Sequence, residues 1–230
     1  DKYTFALNEL CGYVGQKEIN RIEAYDVSHI GGENAVASCI IFTKLGPEKN
    51  NYRLFNIPDY LSGNDVGSLE HVIQRRLKYY DNPKIKPDLL LIDGGKNQLN
   101  YVQSVLRESN HSDIKVISIV KGLNRIRANE TIIGTEGILE IDKQSKAFLI
   151  LQEMRNEAHR FAIQAQRRKK RISIKKSFLD DIKGIGPKTK TRLLRKFKTI
   201  KSIKNASIDE LMTISGINEK IANQILTYKK

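Results

Sequence analysis

The first sixty residues carry three short runs rich in Val, Ile, Tyr and Phe, at residues 21–27, 36–43 and 52–57. This composition favours β-strands, and the stretches between the runs contain glycine-rich, turn-forming sequence. A parallel pair of strands needs a crossover of a dozen or more residues, whereas these connections are short. The runs therefore predict a three-stranded antiparallel meander.

After residue 65 the apolar spacing changes, and helical segments alternate with two continuous apolar runs at residues 87–93 and 114–120. Continuous apolar runs of this length are typical of strands buried on both faces. The remaining predicted elements are a lead-in helix at 5–14, a helix that begins at about residue 94 and ends at about residue 107, a β-hairpin region within 125–143 and a long helix from about 144 through 171. This order predicts an α/β fold with a mixed sheet and flanking helices, which is the order of the ribonuclease H-like fold.

The end of the chain contains an internal repeat with an offset of 32 residues, since the motif Leu-x2-Ile-x-Gly-Ile-x2-Lys begins at Leu179 and again at Leu211. In each copy a glycine-containing hairpin leads into a helix beside a lysine, and free N–H groups at a helix start can bind a phosphate oxygen. The repeat predicts a small all-α tandem helix-hairpin-helix domain. Its candidate DNA-binding residues are Gly184, Gly186, Lys188, Gly216 and Lys220.

An ordinary helical pair with glycine C-caps is the alternative interpretation of this repeat. The repetition and the surrounding lysines favour phosphate contact. The second copy has Asn218 where the first has Gly186, so its phosphate contact is less secure.

Positive charge is concentrated in the last third of the chain. Residues 1–159 hold 20 Lys and Arg against 21 Asp and Glu, whereas residues 160–230 hold 20 against 5, and the whole chain has a net charge of +14. Such an excess favours a polyanionic partner, either nucleic acid or an anionic membrane surface. A solvated basic face is the alternative, but the local density favours a surface that faces nucleic acid.

These patterns predict two domains, at 1–172 and 178–230, joined by a linker at 173–177. Cys11 and Cys39 lie in apolar surroundings without metal-ligand spacing, which indicates core residues in a reducing compartment. The sequence has no apolar run of about 18 residues and begins with Asp1 rather than Met. We expect a cytoplasmic protein, a monomer without membrane association, of which this chain is a fragment.

Two predicted strands end on a single carboxylate, Asp26 in the first and Asp93 in the first after the meander. In the predicted sheet these strands are neighbours, so both acids can reach one point, where hard oxygen ligands suit Mg²⁺ or Mn²⁺. The alternative is structural: Asp26 caps a turn through Ser28 or His29, and Asp93 caps the following helix.

Further candidate residues are weaker. Asp65 is a possible ligand, although its position before an apolar helical run is also typical of an N-cap. His159 lies beside an apolar helical stripe, where it is a core-edge residue, a metal ligand or a proton donor. His29 is a candidate for supporting Asp26, whereas His71 and His111 are expected at the surface.

Several segments together resemble a known family. They are RIEAYDVSHIGGENAVAS at 21–38, PDLLLIDGGKNQL at 87–99, VKG at 120–122, RNEAHRFAI at 155–163 and the two terminal hairpins. On these segments, which span nearly all of the 230 residues, the chain resembles the C-terminal half of the UvrC family, the incising subunits of bacterial nucleotide excision repair.

The resemblance implies an endonuclease domain with an Asp-Asp-His site that makes the incision on the 5′ side of a DNA lesion. Asp26 and Asp93 match the two family acids, His159 matches the family histidine, and Asp65 matches a further acid. The implied reaction is in-line hydrolysis of a phosphodiester by metal-activated water, with one or two ions of Mg²⁺ or Mn²⁺. Lys96 and Lys121 are candidate phosphate contacts.

The implied partners are damaged double-stranded DNA and UvrB. The family's N-terminal nuclease domain for the 3′ incision and its UvrB-binding segment are not recognisable in this sequence. A non-catalytic DNA-binding module is the main alternative, and a ribonuclease or Holliday-junction resolvase is a second one. The acids at the strand ends argue against the first, and the hairpins and family motifs argue against the second.

Overall fold

The structure is a computed structural model that describes residues 2–28, 35–61, 63–120, 130–175 and 178–228. The helices are α1 (Lys2–Val14), α2 (Asp65–Leu77), α3 (Lys96–Glu108), α4 (Lys146–Lys175), α5 (Pro187–Phe197), α6 (Ile200–Lys204), α7 (Ile208–Met212) and α8 (Glu219–Thr227). The strands are β1 (Arg21–Ser28), β2 (Val36–Thr43), β3 (Gly46–Pro47), β4 (Arg53–Asn56), β5 (Leu89–Asp93), β6 (Lys115–Val120), β7 (Thr131–Gly134) and β8 (Gly137–Leu139).

Within the described ranges, the strands form one mixed sheet in the order β3-β2-β1-β5-β6-β7-β8, and β4 pairs with the other end of β2. β1, β2 and β4 pair antiparallel, as the meander predicts. β1 pairs parallel to β5, and β5 pairs parallel to β6. The ribonuclease H-like order predicted from the sequence is therefore confirmed.

Helices cover both faces of the sheet, and the alternation of side chains along β1 shows how. Ile22 and Ala24 join a buried cluster with residues of α1 and α4, whereas Tyr25 joins a second cluster with residues of α2 and α3. Successive strand residues point to opposite faces, so Asp26 points toward the α4 face. β1 thus contributes to both layers of the core.

A buried polar cluster lies on the α2 face and consists of Glu23, Tyr25, Arg76, Tyr80 and Cys39. The Glu23 carboxylate is fully buried and accepts hydrogen bonds from Tyr25 Oη at 2.6 Å and Tyr80 Oη at 2.8 Å. It also pairs with the Arg76 guanidinium. Burial opposes the charge on Arg76, but the hydrogen bond and attraction to Glu23 outweigh it and raise the pKa of Arg76. The cluster is a satisfied ionic network beneath α2.

By backbone contacts the chain divides into two compact units, residues 1–166 and 167–230. In the second unit, a 3-10 turn at Phe178–Asp181 and helices α5 to α8 enclose a separate small core that includes Leu179, Leu193, Leu211 and Ile225. Leu179 and Leu211 occupy equivalent positions of the repeat, so each copy supplies half of this core. No helix among the described residues is long and apolar enough to cross a membrane.

The structure differs from the sequence predictions in three places. Helix α4 continues to Lys175, so it includes the first three residues of the predicted linker at 173–177, and residues 176–177 lie outside the described ranges. The short strand β3 was not predicted, because two residues carry no periodicity. His111 was predicted at the surface, which is wrong: it is only 7% exposed and packs edge-on against Tyr80. Cys11 and Cys39 are buried and free, as predicted.

Candidate functional site

Asp26 lies near the carboxyl end of β1, on the face covered by α4. Only 5% of the residue is exposed, although it is a carboxylic acid in an apolar layer. Its Oδ2 lies 3.2 Å from Nδ1 of His159 on α4. Half of the His159 side chain is exposed, so the imidazole joins a buried acid to solvent. The structure thus brings together two residues that are 133 positions apart in sequence.

Ser38 fixes the position of α4 beside this pair. It is the antiparallel partner of Asp26 in the sheet, and its hydroxyl donates a hydrogen bond of 2.9 Å to the carbonyl of Ala158, next to His159. The hydroxyl is completely buried, so this contact satisfies a group that would otherwise be costly. This role of Ser38 was not predicted, although a lone serine in a strand of buried apolar residues is a usable signal.

A second tie holds α4 one turn before His159. Arg155 forms an ion pair with Glu130, and the two residues are 6% and 3% exposed. Glu130 also accepts a hydrogen bond of 2.9 Å from Gln152 Nε2. A charge on an apolar helix face at this depth needs such a partner. The pair was also missed, because Glu130 precedes β7 and no spacing connects it to α4.

Glu157 lies two residues before His159 in α4. Arg160 donates two hydrogen bonds to its carboxylate, of 2.7 and 2.6 Å, and the hydroxyl of Tyr52 donates a third at 3.3 Å. The hydrogen bond from Arg160 is the main cause that lowers the pKa of Glu157. The Glu157 carboxylate is therefore charged, and its hydrogen bonds go to Arg160 and Tyr52.

Asp93 ends β5, the strand next to β1. Tyr25 is in register with Ile92, so Asp93 occupies the position beside Asp26 and shares its face. Gly95 is the N-cap residue of α3, and its backbone N–H is bound by Gln98 Oε1 at 2.6 Å. The side chain of Gln98, in the first turn of α3, therefore satisfies the N–H group of the residue that caps its own helix. The two acids lie at the carboxyl ends of adjacent parallel strands, as predicted.

Asp65 and Lys96 lie in the layer of α2 and α3. Asn64 is the N-cap residue of α2 and accepts a hydrogen bond from Gly67 N at 2.9 Å, so Asp65 is the first helical residue rather than the cap. Asp65 and Lys96 are both exposed and line one shallow depression between the starts of the two helices. Asp65 and Lys96 therefore lie beside the same depression. Lys121 and His29 lie outside the described residues.

The donors near the end of β1 fit a hard divalent cation in chemical type, since they are carboxylates and an imidazole. Asp26 and His159 already share one point, and Asp93 is adjacent in register. Among the described residues, no group of three His, Cys, Asp or Glu side chains has a spacing that could hold an ion.

The two terminal hairpins have the predicted glycine turns. Gly184 has φ +102° and Gly216 has φ +97°, a conformation that glycine adopts without strain. A Cβ at Gly184 would lie 3.0 Å from Ile221 of the other copy, and one at Gly216 would lie 3.0 Å from Thr189. Each hairpin therefore packs closely against the helix of the other copy.

The two hairpins differ at the start of the following helix. Gly186 is the N-cap residue of α5 and provides no side chain to cap the helix. Pro187 has no N–H, so the first N–H groups of α5 are those of Lys188 and Thr189, and the N-cap residue leaves them uncapped. Asn218 is the N-cap residue of α8, and its side chain accepts the hydrogen bond of Ile221 N at 2.9 Å. Lys188 and Lys220 are exposed in their first turns. The two copies thus differ in capping: the start of α5 has no side-chain cap, whereas the start of α8 is capped by Asn218.

A family model described as "UvrC RNAse H endonuclease domain" matches residues 13–163, about two thirds of the chain. The chain belongs to this family. Residues 176–227 match a second model, described as a SAM-like helix-hairpin-helix tandem. A nuclease domain of the ribonuclease H-like kind indicates use of a divalent metal.

Curated relatives agree with the family. The chain is 42% identical over 207 residues to UvrABC system protein C of Nitrosococcus oceani, which covers 89% of this chain and 34% of that protein. It is 38% identical over 222 residues to the protein of the same name from Pseudomonas putida, which covers 94% of this chain and 36% of that protein. The chain thus spans about a third of the length of these relatives.

Among solved structures, the chain is similar to the catalytic domain of human Endonuclease V. The TM-score is 0.35 at 16% identity, over 57% of this chain and 66% of that chain. A likeness of this size supports no inference about activity.

Proposed function

We propose that this chain is a divalent-metal-dependent DNA endonuclease that makes the 5′ incision beside a lesion during nucleotide excision repair. The observation that carries the proposal is the contact of Asp26 with His159, 3.2 Å apart, at the strand end where Asp93 is the neighbouring residue. Membership of the UvrC endonuclease family supports the assignment. Damaged duplex DNA is the proposed substrate. UvrB is the proposed protein partner, although the family's UvrB-binding segment is not recognisable in this sequence.

In this proposal Asp26, Asp93 and His159 hold Mg²⁺ or Mn²⁺. When bound, the ion lowers the pKa of water and offsets negative charge that develops on the phosphate. The buried carboxylate of Asp26 is kept in place by β1 and β2, and the exposed imidazole of His159 can accept or donate a proton at the edge facing solvent. Asp65 and Lys96 are proposed to orient the strand beside the ion.

The helical unit is proposed to grip the DNA backbone. Gly184, Gly186 and Lys188 form one phosphate contact through backbone N–H groups and a lysine, and Gly216 and Lys220 form a weaker one because Asn218 caps its own helix. Such contacts carry no base sequence information, which suits an enzyme that is directed by damage. Lys121 is retained as a proposed phosphate contact.

The test is cleavage of an end-labelled duplex with one bulky lesion, in Mg²⁺ or Mn²⁺, by the chain and by its Asp93→Ala variant. We expect the wild-type chain to cut on the 5′ side of the lesion and to leave a 3′-hydroxyl and a 5′-phosphate that ligase can rejoin. Asp93→Ala should lose cleavage and keep DNA binding. The control is Asp59→Ala, which removes an exposed acid from the same unit.

Undiminished cleavage by Asp93→Ala would refute the site assignment. DNA binding without cleavage by the wild-type chain in either ion, alone and with UvrB present, would favour a non-catalytic binding module. Mn²⁺ titration followed by electron paramagnetic resonance adds a measurement that does not depend on activity, because Asp26→Asn should weaken ion binding.

A further inference from the structure

A basic cavity of about 550 Å³ lies on the α2 face of the sheet, opposite the face that carries Asp26. This volume is in the range of small-molecule sites. Among the described residues, no acidic side chain lines the cavity, whereas six cationic ones do: Arg21, Arg53, Arg75, Arg76, Lys78 and Lys84. The site proposed for cleavage does not use any of them.

Nearby acids offset only part of this charge. Glu23, buried beneath the cavity, pairs with Arg76 and lies 3.6 Å from Arg21, and Glu48 lies 3.1 Å from Arg21. In the described part of the chain, no ion-pair partner lies within reach of the other four cations, all of which are exposed: Arg53, Arg75, Lys78 and Lys84. The mouth of the cavity is therefore strongly positive.

Two further features indicate a specific ligand rather than a solvated basic face. Nε of Arg21 is a buried donor that has no hydrogen-bond partner among the described residues, and such a donor is costly unless something binds it. Tyr79 lines the cavity and is 55% exposed, and the Arg75 guanidinium lies 5.5 Å from the ring centre of Phe55. Exposed aromatic rings and arginine planes stack on nucleic-acid bases.

We propose that this cavity binds a nucleotide unit of single-stranded DNA, with its phosphate among Arg53, Arg75 and Lys84 and its base against Tyr79. The choice of a nucleic acid over an acidic peptide rests on the proposed function. Asp26 and Arg21 lie on opposite faces of β1, so the bound nucleotide belongs to a different part of the DNA from the cleaved bond. The cavity holds a displaced or flanking strand while the other face cuts.

The test is photocrosslinking of the full chain to a pentathymidylate that carries one 5-iododeoxyuridine, followed by mass spectrometry of the peptides. We expect an adduct on Tyr79 or a neighbouring cavity residue. The double variant Arg53→Gln/Lys84→Gln should lower the yield of this adduct by about tenfold or more, as expected for lost charge-assisted hydrogen bonds. The control is Arg107→Gln, an exposed arginine on α3 outside the cavity, and its yield should be unchanged.

Adducts found only within residues 178–230, or an unchanged yield in the double variant, would overturn the proposal. Competition identifies the ligand: a pentathymidylate that competes better than thymidine monophosphate indicates a strand, and equal competition indicates a free nucleotide. Inorganic phosphate or hexaglutamate competing as well as the pentamer would overturn nucleotide recognition. The Asp93→Ala variant should crosslink normally, so failure of the cleavage site and failure of this cavity give different results.

Discussion

Replacing Arg155 by Met should destabilise the first unit severely, because it leaves the carboxylate of Glu130 buried without its cation. Glu130 is 3% exposed, and among the described residues it would keep only the hydrogen bond of Gln152. Breaking a buried pair on one side costs about 3–5 kcal/mol. In a unit of 166 residues each kcal/mol lowers the melting temperature by about 2–4 °C, so we expect a loss of roughly 6–20 °C.

The assay is differential scanning calorimetry at neutral pH. Arg160→Met on the same helix is the matched control, because the Arg160 side chain is 48% exposed in its pair with Glu157. An exposed pair contributes at most about 1 kcal/mol, so this variant should lower the melting temperature by no more than about 4 °C.

The double variant Arg155→Met/Glu130→Leu removes both charges and should recover most of the loss, since an apolar pair of similar volume is often neutral or stabilising. A single Arg155→Met variant that melts with the wild type, or a double variant that melts no higher than the single one, would refute the reasoning.

Three other predictions concern the rest of the chain. Burial raises the pKa of Tyr80, so its neutral hydroxyl stabilises the fold below about pH 10, and this contribution is lost as the pH rises further. In urea unfolding, the free energy of unfolding should therefore fall less steeply between pH 9 and about 11 for Tyr80→Phe than for the wild type. An equally steep fall in the two proteins would contradict this. Lys188→Gln should weaken DNA binding more than Lys220→Gln does, as measured by fluorescence anisotropy. Lys188→Gln should also reduce the slope of the logarithm of the DNA-binding constant against the logarithm of the salt concentration by about 0.9. Equal effects of the two variants would remove the proposed difference between the hairpins. Gly216→Ala should destabilise the helical unit by more than about 1 kcal/mol, because Gly216 has φ +97° and the new Cβ would lie 3.0 Å from a neighbouring atom. Gly186→Ala should cost less, because no atom lies within 4 Å of its new Cβ. Calorimetry compares the two variants, and the reverse order would contradict the turn assignment.

The sequence predicted the sheet well because strand order follows from connection lengths and apolar pattern. The short gaps between β1, β2 and β4 allowed only an antiparallel meander, and the apolar run of β5 allowed only a central strand. The same reasoning placed Asp26 beside Asp93, because both residues end neighbouring strands.

Contacts between distant segments could not be predicted from periodicity. The hydrogen bond of Ser38 to Ala158 and the pair of Arg155 with Glu130 depend on how α4 lies on the sheet. The basic cavity was missed for the same reason. Its cations come from β1, β4, α2 and the segment after α2, and the charge of residues 1–159 is nearly balanced when it is counted along the chain.

Strand β1 places two different chemistries on its alternate residues, with Asp26 toward one layer and Arg21 and Glu23 toward the other. The two faces are therefore not free to vary separately. A deletion or insertion of one residue in β1 before Glu23 would reverse every side chain beyond it, which would turn Asp26 into the α2 layer and Glu23 and Tyr25 toward α4. The loops on either side of this strand can change in length without that effect, whereas a change in the phase of the strand alters both faces at once.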